Sequence, residues 1–118
     1  MDNEDAQAET MDANPGETIY EVTLDVDAAV AADFLAWLRG HIDEICALPG
    51  FLGADLHELA DPAPAPGRQA LCVRYRLRDA AALEAYLRDH APRMRADGLA
   101  RFDGRFGASR RVMRGLPR

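Results

Sequence analysis

Apolar and polar positions alternate over 19–25, with Tyr20, Val22, Leu24 and Val26 set against Glu21, Thr23 and Asp25. A period of two predicts a half-buried strand. Asp27 then fits an N-cap ahead of Val30, Phe34, Trp37, Leu38, His41, Ile42, Ile45 and Leu48, whose spacing of three and four gathers them on one helical face. Pro49 and Gly50 stop that helix. A second strand is predicted over 51–59, with Leu52, Ala54 and Leu56 facing one way and Gly53, Asp55 and His57 the other. Three prolines and a glycine make 60–68 a loop. Alternation returns over 69–77, where Leu71, Val73, Tyr75 and Leu77 oppose Cys72, Arg74 and Arg76. Asp79 caps a helix over 80–90 with Leu83, Tyr86, Leu87 and His90 as its buried stripe, and Pro92 opens a short helix closing near Gly98. The last strand falls within 102–113, with a bulge expected at Gly104 or Gly107. The pattern does not set its register.

The order is βαββαβ. Both βα crossovers are long enough to hold a helix, and right-handed crossovers put both helices on one face of a four-stranded antiparallel sheet. The expected fold is α+β and ferredoxin-like. Tyr20, Val22, Leu24, Leu52, Leu56, Leu71, Val73 and Leu77 then meet Phe34, Leu38, Leu83 and Leu87 in one core. The uncovered face carries Glu21, Thr23, Asp55, His57, Cys72, Arg74 and Arg76, with Ser109 and Arg111 joining if the last strand's register allows. Two readings follow: a solvated face laced with cross-strand ion pairs, or two such faces meeting in a homodimer around a polar cavity, since isologous pairing is the commonest route to an oligomer.

At 118 residues the chain suits one core. Its net charge of −6 is uneven. Residues 1–17 hold six acids and no base, and with almost no large apolar groups they read as a disordered acidic tail ahead of a domain over 18–114. Over residues 18–118, 14 acids balance 14 arginines, the acids dominating to residue 87 and the arginines after it. No apolar run is long enough for a membrane span, and no basic-then-apolar leader is visible, so neither a membrane nor secretion is expected. Cys46 and Cys72 match no metal or redox spacing and read as reduced thiols of a cytoplasmic protein.

Several side chains offer chemistry. On the open face His57 is a candidate general base. Arg74 and Arg76 are candidates for holding a carboxylate, phenolate or enolate, or for pairing with Glu21 and Asp55 across strands. Arg74, Arg76, Glu21 and Asp55 form the candidate ligand site, with His57 as its candidate catalytic residue. His41 and Trp37 fall in the first helix's apolar stripe, where a histidine is ordinarily a satisfied core group. His90, at a helix end, suits capping. Cys72 has no activating partner beyond His57. The arginine-rich end lacks interleaved stacking aromatics, so no nucleic-acid partner is expected. No phosphate loop, metal-spaced cluster or nucleophile elbow occurs, so no cofactor or metal is called for.

The run Leu48-Pro49-Gly50-Phe51-Leu52-Gly53-Ala54, then Tyr75-Arg76-Leu77-Arg78-Asp79 leading into Ala82-Leu83-Glu84-Ala85-Tyr86-Leu87, resembles the dimeric α+β barrel superfamily of antibiotic biosynthesis monooxygenase-like domains. Ile19-Tyr20-Glu21-Val22 together with Arg93-Met94-Arg95-Ala96-Asp97-Gly98-Leu99 resembles more closely a bacterial domain family of unknown function, over about 18–114. The resemblance implies a homodimer whose sheets pack face to face as a barrel. It admits a protein binding a small anionic or aromatic molecule between the sheets, a cofactor-independent monooxygenase-like enzyme, or a non-catalytic interaction module. Haem-degrading members use an Asn on the first strand, a Trp near the end of the third and a His on the second helix. Here His90 and Tyr75 fall near the last two, but the first strand offers Glu21 and Thr23 and no Asn, which argues against haem degradation.

Overall fold

The computed structural model describes residues 16–118, so the expected acidic tail lies almost wholly outside the described residues. Its last two positions are bonded into the domain: Gly16 N–H donates to the Gly115 carbonyl at 3.4 Å and Gly115 N–H to the Glu17 carbonyl at 2.9 Å. Four strands follow, β1 Thr18–Asp27, β2 Phe51–Glu58, β3 Arg68–Leu77 and β4 Phe106–Arg114. Three helices, α1 Ala31–Cys46, α2 Ala80–Asp89 and α3 Ala91–Phe102, complete the βαββαβ order. The sheet is antiparallel throughout, ordered β2-β3-β1-β4. No helix among the described residues is long and apolar enough to cross a membrane.

Strand parity is as the alternation predicts. Leu24, Val26, Leu71, Val73, Tyr75 and Leu77 are buried with Phe34, Leu38 and Ile45 of α1 and Leu83 and Tyr86 of α2. Asp27 caps as expected, accepting from Ala29 N–H at 2.9 Å, but the turn it caps is a single 3₁₀ turn, Ala28–Val30, that leads into α1. Asp79 accepts from Ala82 N–H at 2.9 Å at the start of α2.

Four expectations are corrected. A bulge falls in β2, between Phe51 and Gly53, and β4 pairs with β1 in unbroken register. The extra residue is Leu52, which is 49% exposed and outside the core. Phe51 fills that place, set edge-on to Tyr75 and Tyr86 at 5.8 and 5.1 Å between ring centres. Leu87 is likewise exposed, on the outer side of α2. Gly98 does not end α3 but sits buried in its middle: a Cβ there would lie 3.0 Å from Trp37 Cη2, so the missing side chain is what lets the indole rest on α3.

The turn into β2 depends on Gly50. Its φ of +88° is one that side-chain-bearing residues rarely adopt, and a Cβ would fall 2.5 Å from Ala82 Cβ at the start of α2. The Arg78 N–H donates to the Gly50 carbonyl at 2.9 Å, joining this turn to the end of β3.

Candidate functional site

On the open face the register brings the predicted polar residues into one patch. Glu21 of β1 stands between Arg74 of β3 and Arg111 of β4; Thr23 stands between Cys72 and Ser109. On β2, Asp55 faces Arg74, His57 faces Cys72 and Gly53 faces Arg76. Glu21 is only 7% exposed, yet it is charged-paired on both sides, with Arg111 at 2.6 Å and Arg74 at 3.6 Å. Two guanidiniums flank the buried carboxylate, so it is not left as an unpaired ion in the sheet. His57 is exposed on the edge strand. Burial, with Glu21 as the next cause, raises the Cys72 thiol's pKa, so Cys72 is a poor nucleophile.

The enclosed space lies on the other face. A cavity of about 290 Å³ opens between the sheet and the helices. Its floor is Tyr20, Val22, Leu24, Val73 and Tyr75 of β1 and β3; its roof includes Phe34, Trp37 and His41 of α1 and Met94 and Gly98 of α3. The lining residues exposed to solvent are Arg95 and Leu99 of α3 and Gly107, Ala108 and Arg110 of β4, so the opening lies between α3 and the β4 edge. The β4 register decides this rim: Arg110 pairs with Val22 and turns toward the helices, while Ser109 pairs with Thr23 and turns away.

Aromatic rings dominate the walls. Phe34 packs on Phe102 and Phe106, each 5.1 Å away, and on Trp37 at 5.4 Å; Tyr20 meets Tyr86 at 6.0 Å. The polar contribution is hydroxyl and guanidinium. Arg95 Nη2 donates to the Tyr20 hydroxyl at 3.1 Å. Burial pushes the Tyr86 phenol up to about 12, against the opposing pull of Arg95, Arg110 and Arg93. Burial pushes Tyr75 up further. Both phenols therefore stay protonated at neutral pH and can donate hydrogen bonds to an oxyanion.

The cavity residues Tyr86, Arg95 and Arg110 were not singled out from sequence as a site. One signal was present. All three tyrosines of the chain fall at core positions, and buried hydroxyls need partners. His41 is not the satisfied core histidine expected: its Nδ1 is buried and has no hydrogen-bond partner. His90 bridges α2 and α3; its backbone N–H donates to the Tyr86 carbonyl and its Nδ1 lies 3.3 Å from Arg93 Nη1.

A family model described as a domain of unknown function, DUF4286, matches residues 17–116. The chain belongs to that family. No curated protein matches it. Among solved structures, this DUF4286 domain is similar to a Nitrosomonas europaea protein provisionally named an antibiotic biosynthesis monooxygenase, with TM-score 0.63 and 17% identity, covering 88% of this chain and 94% of that one. It is similar also to Rv0793 of Mycobacterium tuberculosis (TM-score 0.62, 21% identity, 86% and 97% covered). A third likeness is to SnoaB, a cofactor-independent oxygenase of Streptomyces nogalater (TM-score 0.58, 13% identity, 87% and 96% covered). These likenesses show the ferredoxin-like fold that the alternation and the quoted motifs predicted.

Proposed function

We propose that this domain binds one compact aromatic anion in the cavity beneath its helices, with the open sheet face paired against a second copy. The observation that carries the reading is the inward turn of Arg110 beside the Arg95–Tyr20 hydrogen bond, at the rim of an otherwise aromatic space. At about 290 Å³ the cavity is near the lower end of the ~300–1,000 Å³ typical of small-molecule sites, which suits a one- or two-ring compound. The rings of Trp37, Phe34 and Tyr20 would stack on it. Arg110 and Arg95 would hold a carboxylate or phenolate at the opening.

The second copy is supported by the composition of the open face. Glu21, Arg74 and Arg111 form a self-contained charge cluster that can meet its own image about a two-fold axis. Under that pairing His57, Asp55 and Arg76 would gather near the same interface, and a ligand site between the sheets is the second reading. His57 would be its base, and Arg74 and Arg76 its anion holders. Turnover of the bound molecule by a cofactor-independent oxygenase reaction is a further step of either reading, suggested by the likeness to SnoaB, a cofactor-independent oxygenase. The free thiols of Cys46 and Cys72 support a cytoplasmic setting.

Titrating 2-naphthoate and its uncharged analogue 2-naphthylmethanol into wild type, Arg110→Ala and His57→Ala tests the reading. The anion is expected to bind more tightly than the alcohol, and Arg110→Ala to weaken it about tenfold or more, as for a lost charge-assisted hydrogen bond. His57→Ala should bind as wild type does. Loss of binding in His57→Ala with none in Arg110→Ala would move the site to the open face. Oxygen uptake in the presence of a bound quinol then separates an oxygenase from a binding protein.

A further inference from the structure

A second cluster lies in a groove on the solvent side of the α1–α3 contact, which shares Trp37, His41 and Met94 with the cavity wall. His41 and Glu44 are three residues apart on α1 and so share one face of it. Asp97 reaches them from α3. The three offer ligand atoms that all lie within 4.8 Å of one another, in an open groove also lined by Trp37, Gly40, Arg93 and Arg101. Ligand atoms around a first-row metal sit ~2.0–2.2 Å from it and hence ~3–4 Å apart, so a modest rotation of the exposed Glu44 side chain closes the set.

Two further features separate this cluster from an ordinary charged groove. The His41 Nδ1 is buried without any hydrogen-bond partner, a state that native structures seldom leave uncompensated. The ring itself is held in place, stacked on Trp37 with centres 4.4 Å apart and planes 26° from parallel. Asp97 is oriented in the same way, its Oδ2 accepting from Trp37 Nε1 at 3.1 Å and its Oδ1 from Arg101 Nε at 3.4 Å.

We infer that His41, Glu44 and Asp97 form a binding site for a first-row divalent cation of the Zn²⁺ or Co²⁺ kind. One imidazole with two carboxylates suits such ions better than Mg²⁺ or Ca²⁺, which prefer all-oxygen sets. Three protein ligands leave coordination positions open toward the groove. Arg101 competes for Asp97, so its removal should strengthen the site. His41 also lines the cavity proposed above, whereas Glu44 and Asp97 do not, so Glu44→Gln tests this site apart from that reading.

Trp37 is the chain's single tryptophan and touches two of the three ligands, so it reports directly. The experiment titrates Co²⁺ into the untagged full chain and follows Trp37 fluorescence together with the visible absorption of Co²⁺. The expected result is saturable quenching with new visible bands, reversed by equimolar Zn²⁺ and unaffected by excess Mg²⁺. His41→Ala and Glu44→Gln should each weaken binding by about tenfold or more, and Arg101→Ala should tighten it. Glu44 is exposed, so Glu44→Gln keeps the fold should His41→Ala disturb it. Absence of saturable quenching, competition by Mg²⁺ equal to that by Zn²⁺, or unchanged affinity in Glu44→Gln would overturn the site.

Discussion

Trp37 Nε1 donates a hydrogen bond to Asp97 Oδ2 at 3.1 Å, joining α1 to α3 across 60 positions of sequence. The same indole lies over Gly98 on one side and against His41 on the other. It therefore forms both part of the cavity roof and part of the outer groove. Trp37→Phe keeps a ring but loses the donor. The expected cost is about 1 kcal/mol, or roughly 5 °C in thermal midpoint for a domain of this size. Calorimetry checks it, and an unchanged midpoint would mean that α3 docks without this bond.

Gly50→Ala should be far more costly. The substitution asks alanine to adopt φ +88° and places its methyl 2.5 Å from Ala82 Cβ. Left-handed backbone and overpacking together come to roughly 2–4 kcal/mol. Urea unfolding would show this as a lower midpoint with an unchanged slope. Gly67→Ala is the control, since it has a similar φ of +77° but open space around its Cβ, and it should lose less.

Acid should narrow the difference between wild type and Asp27→Ala. The Asp27 carboxyl titrates below its ordinary value, first because it accepts from Ala29 N–H and then because of Arg105, whose Nε lies 2.9 Å away. A pKa depressed by folding gives stability that is full above the unfolded value and is lost as pH falls through the folded one. Asp27→Ala is therefore expected to melt below wild type at pH 7 and close to it at pH 2. A difference that stays constant with pH would assign the effect to helix propensity instead.

The two thiols discriminate between faces. Burial is the first cause raising both pKa values, so alkylation of the native protein at pH 8 should be much slower than in urea. Cys72 sits on the open face opposite Thr23 and His57, whereas Cys46, the last residue of α1, packs against the core. If the open faces pair, raising protein concentration should slow Cys72 labelling and leave Cys46 unaffected. Equal, concentration-independent rates, with light scattering reporting a monomer, would count against the pairing.

The central strands could be read from sequence because each buries one side under helices, and that forces a clean period of two on β1 and β3. This parity places Glu21, Asp55, His57, Arg74 and Arg76 on one face. The pattern failed where that cause was absent. On β4 the inward positions are Phe106, Ala108, Arg110 and Val112, and the helices cover only the first well, so no alternation marks the register. Leu52 misled because a bulge shifts parity by one residue while leaving the apolar spelling intact. Gly98 reads as a stop signal in one dimension, yet in space it is the gap that receives Trp37. The cavity was invisible for a related reason. It is lined jointly by residues of β1, β3, β4 and all three helices, and no local sequence pattern encodes that juxtaposition.

Amide chemical-shift mapping with 2-naphthoate on isotope-labelled protein tests the central claim most directly. The proposed site predicts the largest shifts at Gly98, Leu99, Ala108 and Arg110, on α3 and β4 around the opening. Shifts centred instead on Asp55, His57 and Cys72 would contradict it and place the ligand on the open face of the sheet.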